Sequence, residues 1–225
     1  MIPTEEFPGF SPAADPQEQV ERAMALLGRR PDLAGRLRIR PDPARKRSTG
    51  GWSVFGFRAS GGAFNERPHL LLHVADNSVG ARVILPNKAR GGLWTRLRSA
   101  RLAHLMSPVL REMAPAMANC PGMEPRLILK QRHWRTRNGP SFRDAYLDID
   151  LRTLRGHPES AVKRQPEWME AVQHVVANKA SNLELQVGAT FPFNRCPAIR
   201  MPNALDHVAA AWIGCRPFIR WLLTA

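Results

Sequence analysis

The sequence predicts an α+β fold: a single domain in which an antiparallel-rich sheet carries helices packed mainly on one face. Three observations predict it. Paired, hairpin-like strand segments outnumber strand–helix–strand units. Helical apolar periods occur near both ends of the chain. The 225 residues are 44% hydrophobic and contain no internal repeat, which fits one folded domain with a sizeable core.

Residues 1–14 are Pro-rich and read as an irregular N-terminal arm, leaving 15–225 as the domain. A helix starts with Asp15 as cap and Pro16 at its first position. Val20, Ala23, Met24 and Leu27 form its apolar stripe, and Gly28 ends it. Residues 36–40 alternate Arg-Leu-Arg-Ile-Arg, the pattern of a strand with a basic outer face, and 41–51 follow as a basic loop. Strands are expected at about 52–58, 68–74 and 80–86, with Asp76, Asn77 and Ser78 turning the chain between the last two. A helical stretch over 93–118 is interrupted by Pro108, which predicts two helices. A hairpin occupies about 126–151, around Asn138–Gly139. A helix is expected from Pro166 to Lys179 and a strand at 183–191. A last helix begins near Asn203, with Asp206 placed as in a capping box, and kinks or restarts at Pro217.

Charge is the most informative quantity. There are 33 Lys+Arg against 19 Asp+Glu, giving a net charge of +14, with a sequence pI near 11.3. Codon bias toward Arg, Pro and Gly explains Arg in place of Lys, but not the shortage of acids. An excess of this size favours polyanions through counterion release, and Arg suits bidentate contact with phosphate. The N-terminus has Glu5 and Glu6 where a signal peptide needs a basic start, and no run approaches the ~20 apolar residues of a membrane span. A cytoplasmic protein without membrane insertion is expected. Cys120, Cys196 and Cys215 are odd in number and widely spaced. They read as small buried hydrophobes, not as a disulfide framework or a CxxC zinc site.

Three acid-poor basic segments are the candidate nucleic-acid contacts. The outgoing strand of the 126–151 hairpin carries Lys130, Arg132, Trp134, Arg135 and Arg137, the composition of a strand that grips phosphates and stacks a base. The loop with Arg45, Lys46 and Arg47 resembles arms that fold on phosphate. Trp94, Arg98 and Arg101 fall on one helix side at i, i+4 and i+7. Each also reads as an ordinary solvated face.

Catalytic candidates sit in the same hairpin. A two- or four-residue turn at Asn138–Gly139 would set His133 opposite Asp144, Leu129 opposite Asp148 and Ile128 opposite Ile149. Asp144, Asp148 and Asp150 share one face of the return strand. They need a cation between them, either Mg²⁺ in a metal-dependent nuclease or a neighbouring Arg. His133 beside Asp144 is the alternative, a general base for metal-free RNA cleavage. His69 and His73, at i and i+4 on a strand, stand roughly 13 Å apart, too far to share one metal. No phosphate loop, nucleophile elbow, HExxH or dinucleotide fingerprint occurs, so no resident cofactor or metal is expected apart from Mg²⁺ in the nuclease reading.

Phe7 to Ala13, the segments His69–Val74 and Ala81–Pro86 ahead of Trp94 and Leu97, and the closing Trp212, Pro217, Trp221 and Leu222 together resemble, over about half the chain, an uncharacterised bacterial family classed as a domain of unknown function. Its members open F-x-G-F-x-P-x-A, here Phe7, Gly9, Phe10, Pro12 and Ala13. They carry a central hairpin ending in Pro before a helix, here His69–Val74, Ala81–Pro86 and the helix with Trp94 and Leu97. They close on a hydrophobic helix with a late Pro, here Trp212, Pro217, Trp221 and Leu222. The Asn-Asn-x-x-Trp-Phe and Arg-Asp-x-Arg-Phe segments of that family have no counterpart here, nor does the basic hairpin have one there. The resemblance implies a single α+β domain and assigns no functional residue.

The leading expectation is thus a non-enzymatic protein binding RNA or single-stranded DNA, one subunit of a ribonucleoprotein or defence complex. The alternatives are a nuclease and an adaptor for an acidic protein partner.

Overall fold

A computed structural model describes residues 6–40, 46–48, 51–58, 66–86, 88–89, 93, 96–97, 102–131, 145–153 and 183–224. Seven strands form one sheet in the order β1-β2-β3-β4-β7-β5-β6. They are β1 (Lys46–Ser48), β2 (Gly51–Gly56), β3 (His69–Ala75), β4 (Ser78–Leu85), β5 (Glu124–Gln131), β6 (Ala145–Asp150) and β7 (Leu183–Pro192). Every pairing is antiparallel. The α+β class and the antiparallel sheet are therefore as the sequence predicts. The late strand β7 inserts between β4 and β5, so the sheet's centre is assembled from segments far apart in the chain.

Among the described residues, residues 93 and 96–97 are helical, and longer helices are α1 (Pro16–Leu27), α2 (Leu102–Asn119), α3 (Ala204–Gly214) and α4 (Arg216–Leu223). Asp15 caps α1 by accepting from the backbone N–H of Gln17 and Glu18 at 2.8 and 2.9 Å. The helix buries Val20, Ala23, Met24 and Leu27 as its spacing predicts. Gly28 closes it with an ordinary φ of −63°. Space explains the glycine better than conformation: a Cβ there would lie 3.2 Å from the Met24 carbonyl oxygen and 3.4 Å from the Phe55 ring.

The arm is anchored. Phe7 and Phe10 are buried and meet edge to face at 4.8 Å. Gln19 ties the arm to α1, donating to the Ser11 and Ala14 carbonyls and accepting from the Ser11 N–H. Gly9 has φ +100°, and a Cβ there would overlap the Arg200 backbone.

Four expectations need correction. Leu33–Leu37 is a π-helical turn, and Ile39 makes an isolated antiparallel bridge with Phe57, just past the end of β2. Leu33 and Leu37 both bury on the turn's inner side, and Arg38 then adopts a left-handed φ of 53°. Lys46 and Arg47 lie in an edge strand paired with Ser53 and Trp52 instead of a free loop. Helix α2 runs through both Pro108 and Pro115. Each proline removes a donor at a cost of roughly 3 kcal/mol. Burial of Met106, Val109, Leu110 and Met113 outweighs that cost where α2 packs on α3 and α4. At α3, Asn203 makes no side-chain capping bond, and Asp206 pairs with Arg30 instead of completing a capping box. The restart at Pro217 is as expected, since α3 and α4 are separate helices. The segment expected as a helix over 166–179 lies outside the described residues.

One core contains the apolar faces of α1 to α4 and alternate residues of the sheet: Leu70, Leu72 and Val74 of β3, Val79, Ala81, Val83 and Leu85 of β4, Leu127 and Leu129 of β5, and Leu185, Val187, Ala189 and Phe191 of β7. Period-2 alternation sends the intervening residues to the opposite face. Among the described residues, no helix is long and apolar enough to cross a membrane.

Candidate functional site

The face of the sheet turned away from this core carries charged and polar residues together with the buried Leu71, Ile84 and Ile128. Antiparallel pairing sets His73 opposite Gly80, Gly80 opposite Thr190, and Thr190 opposite Glu124. The next row holds Leu71, Arg82, Gly188, Arg126 and Asp150 across β3, β4, β7, β5 and β6. Lys130 follows opposite Glu184, and Asp148 opposite Ile128. These residues share one surface because opposite residues of an antiparallel pair project on the same side.

A cavity of about 780 Å³ opens on this surface. His73, Arg82, Arg126, Lys130 and Asp148 line it from the strands, and Asp76, Asn77 and Arg195 from the adjoining turns. Arg82 is 5% exposed and is held across the strands, donating to Gln186 Oε1 at 3.1 Å and Thr190 Oγ1 at 3.0 Å. A Cβ on Gly80 would come within 2.9 Å of its guanidinium, and a Cβ on Gly188 would overlap the backbone of Ala81. Glycines at both positions let the floor approach closely and leave room between Arg82 and Arg126.

Glu124 is buried at 4% exposure and is held between Arg126 and the exposed Arg195. Two arginines on one buried carboxylate offset its desolvation. Arg126 also lies 3.7 Å from Asp148. Burial opposes the charge on Asp150, but Arg152 donates to both carboxylate oxygens at 2.6–3.1 Å and holds the pKa below its usual value. Burial and the charges of Arg82 and Lys130 push His73 down to about 4, so it is neutral at pH 7.

The predicted site residues distribute unevenly over this face. Lys130, Asp148 and Asp150 lie on it, and Lys130 and Asp148 line the cavity. Arg45, Trp94, Arg98, Arg101, Arg132, His133, Trp134, Arg135, Arg137 and Asp144 lie outside the described residues, as do the His133–Asp144 pair and the Asn138–Gly139 turn. Lys46 and Arg47 are at the β1 edge, three strands from β4. The β5–β6 register differs by one residue from the turn-based expectation: Ile128 faces Asp148 and Leu129 faces Leu147. Burial decides it. Leu127 and Leu129 must share the core face with Leu147 and Ile149, and a turn of two or four residues gives the opposite parity. As a consequence, Asp148 and Asp150 share their face with Arg126 and Lys130, and arginine supplies the cation they need. Among the described residues, no group of three or more His, Cys, Asp or Glu is placed to hold a metal ion.

Sequence reasoning missed Arg82, Arg195 and His73 as cavity residues. The signal for Arg82 was present: Ser78-x-Gly80-x-Arg82 alternates with Val79, Ala81 and Val83, as Glu184-x-Gln186-x-Gly188-x-Thr190 does with Leu185, Val187 and Ala189. The neighbour relation of β4, β7 and β5, separated by long stretches of chain, carried no such signal.

Comparison of the chain with protein-family models, with curated proteins and with solved structures finds no match.

Proposed function

We propose that the protein binds single-stranded nucleic acid, RNA or DNA, and that the polar face of the sheet receives the backbone. The observation that carries this reading is the cavity of about 780 Å³ bordered by Arg82, Arg126, Lys130 and Arg195 on a chain of net charge +14. Its glycine floor permits close approach, and β5 leads from Lys130 directly into the sequence run Arg132 to Arg137. Single strands fit a cavity bordered by cations, and Trp134 in the adjoining sequence run is the residue type that stacks a base. The arginine partners of Asp148 and Asp150 favour binding over metal-dependent cleavage.

The test is binding of labelled single-stranded RNA, single-stranded DNA and duplex DNA across salt, with the same samples run on a denaturing gel with and without Mg²⁺. Four phosphate contacts predict a slope of about −2.8 in log K against log salt, or roughly 50-fold weaker binding between 50 and 200 mM. Lys130→Glu should weaken binding to all sequences alike and reduce the slope by about 0.7 or more. Salt-independent binding, or none at ~150 mM, overturns the proposal. Shortened strands would replace it with a nuclease.

A further inference from the structure

Cys120 follows the C-terminus of α2, and Cys196 lies four residues beyond the end of β7. They are 76 residues apart in sequence, yet their sulfurs approach to 3.0 Å, and both side chains are fully buried. The backbones around them are fixed. Cys196 N–H donates to the Pro192 carbonyl at 2.8 Å, and the Met123 N–H donates to the Cys120 carbonyl at 3.0 Å. Gly122 takes φ +88° so that its backbone packs on the Arg195 carbonyl, where a Cβ would overlap. Close by, Glu124 pairs with Arg195. Two turns are therefore held face to face with one sulfur on each, in the core beside the Glu124–Arg195 pair.

We propose that Cys120 and Cys196 are a dithiol pair that closes to an intramolecular disulfide under a peroxide-class oxidant. Cys196 is the sulfur that attacks. The hydrogen bond it shares with Cys120, with further ones from the Ile199 and Ala198 backbone, holds its pKa below that of a free thiol. The Cys196 thiolate takes one peroxide oxygen, and the O–O bond breaks. The departing hydroxide gains a proton and leaves as water. Cys120 then attacks the Cys196 sulfenic sulfur. The S–S bond forms, the S–O bond breaks, and the Cys120 proton leaves with the second water. Two thiols lose two electrons and two protons while one hydrogen peroxide becomes two waters. Cys215 supplies an internal control. It is buried and hydrogen-bonded to the Val187 carbonyl, not to either of the pair, and burial pushes its pKa up.

The experiment treats the folded full chain with hydrogen peroxide, removes the reagent, denatures and alkylates, then counts thiols by intact mass and maps the peptides. The expected result is one alkylated thiol, Cys215, with a 120–196 linked peptide, against three alkylated thiols in untreated protein. Reducing the oxidised protein should lower its Tm by roughly 5–15 °C. Cys215→Ser should still form the link, whereas Cys120→Ser should not. Three alkylatable thiols after oxidation of the folded wild type, or a link involving Cys215, overturns the proposal. The wild-type thiol count decides this even if a variant fails to fold.

Discussion

His73 makes stability depend on pH in a defined window. Its folded pKa is about 4 and its ordinary value is 6.5. Between those values the unfolded chain binds a proton that the folded protein refuses, so stability is full above pH 6.5 and falls as pH drops toward 4. Burial is the main cause, and the charges of Arg82 and Lys130 add to it. At pH 5 the two pKa values correspond to a loss of about 2 kcal/mol relative to pH 7. The measurement is urea unfolding of wild type and His73→Gln at pH 7 and pH 5. The glutamine cannot titrate, so the difference between the two proteins should change by about 2 kcal/mol between the two pH values, in favour of the variant at pH 5. Parallel pH dependence in the two proteins, or an NMR titration of His73 near 6.5, would refute the electrostatic description of the cavity. The same proton adds a positive charge beside Arg82, so polyanion affinity per folded molecule should rise as pH falls toward 4.

Other residues give independent tests. Gly9→Ala should destabilise the protein by roughly 2–4 kcal/mol in denaturant titration, because the position combines φ +100° with overlap against the Arg200 backbone. Glu124→Gln should lower stability by about 3 kcal/mol while tightening polyanion binding and steepening its salt slope, since it releases Arg126 and Arg195 from a buried carboxylate. Asp15→Ala removes the acceptor for two backbone donors at the start of α1 and should cost about 1 kcal/mol in thermal or denaturant unfolding.

Features carried by local periodicity or local chemistry were legible in the sequence. The cap at Asp15, the stripe Val20–Leu27, the hairpin turning at Asp76–Asn77, strand β7 and the α+β class all follow from residues within a few positions of one another. That Asp148 and Asp150 share one face of β6 follows from period 2 in the same way, but their sharing it with Lys130 does not, because the turn-based register set Asp148 opposite Leu129. Local signals failed where burial competed with them. The Arg36–Arg40 alternation yielded to the inward packing of Leu33 and Leu37, and the prolines of α2 yielded to its buried face. The β5–β6 register followed the core-facing leucines and not the turn. The tertiary structure alone set β7 between β4 and β5, which brings Arg82, Gly188 and Arg126 into one row, and it alone joined Cys120 to Cys196. Neither arrangement is written in any local stretch. Both arise because residues about 60 to more than 100 positions apart bury their apolar alternates in one core, and the polar alternates and the sulfurs are carried into contact with them.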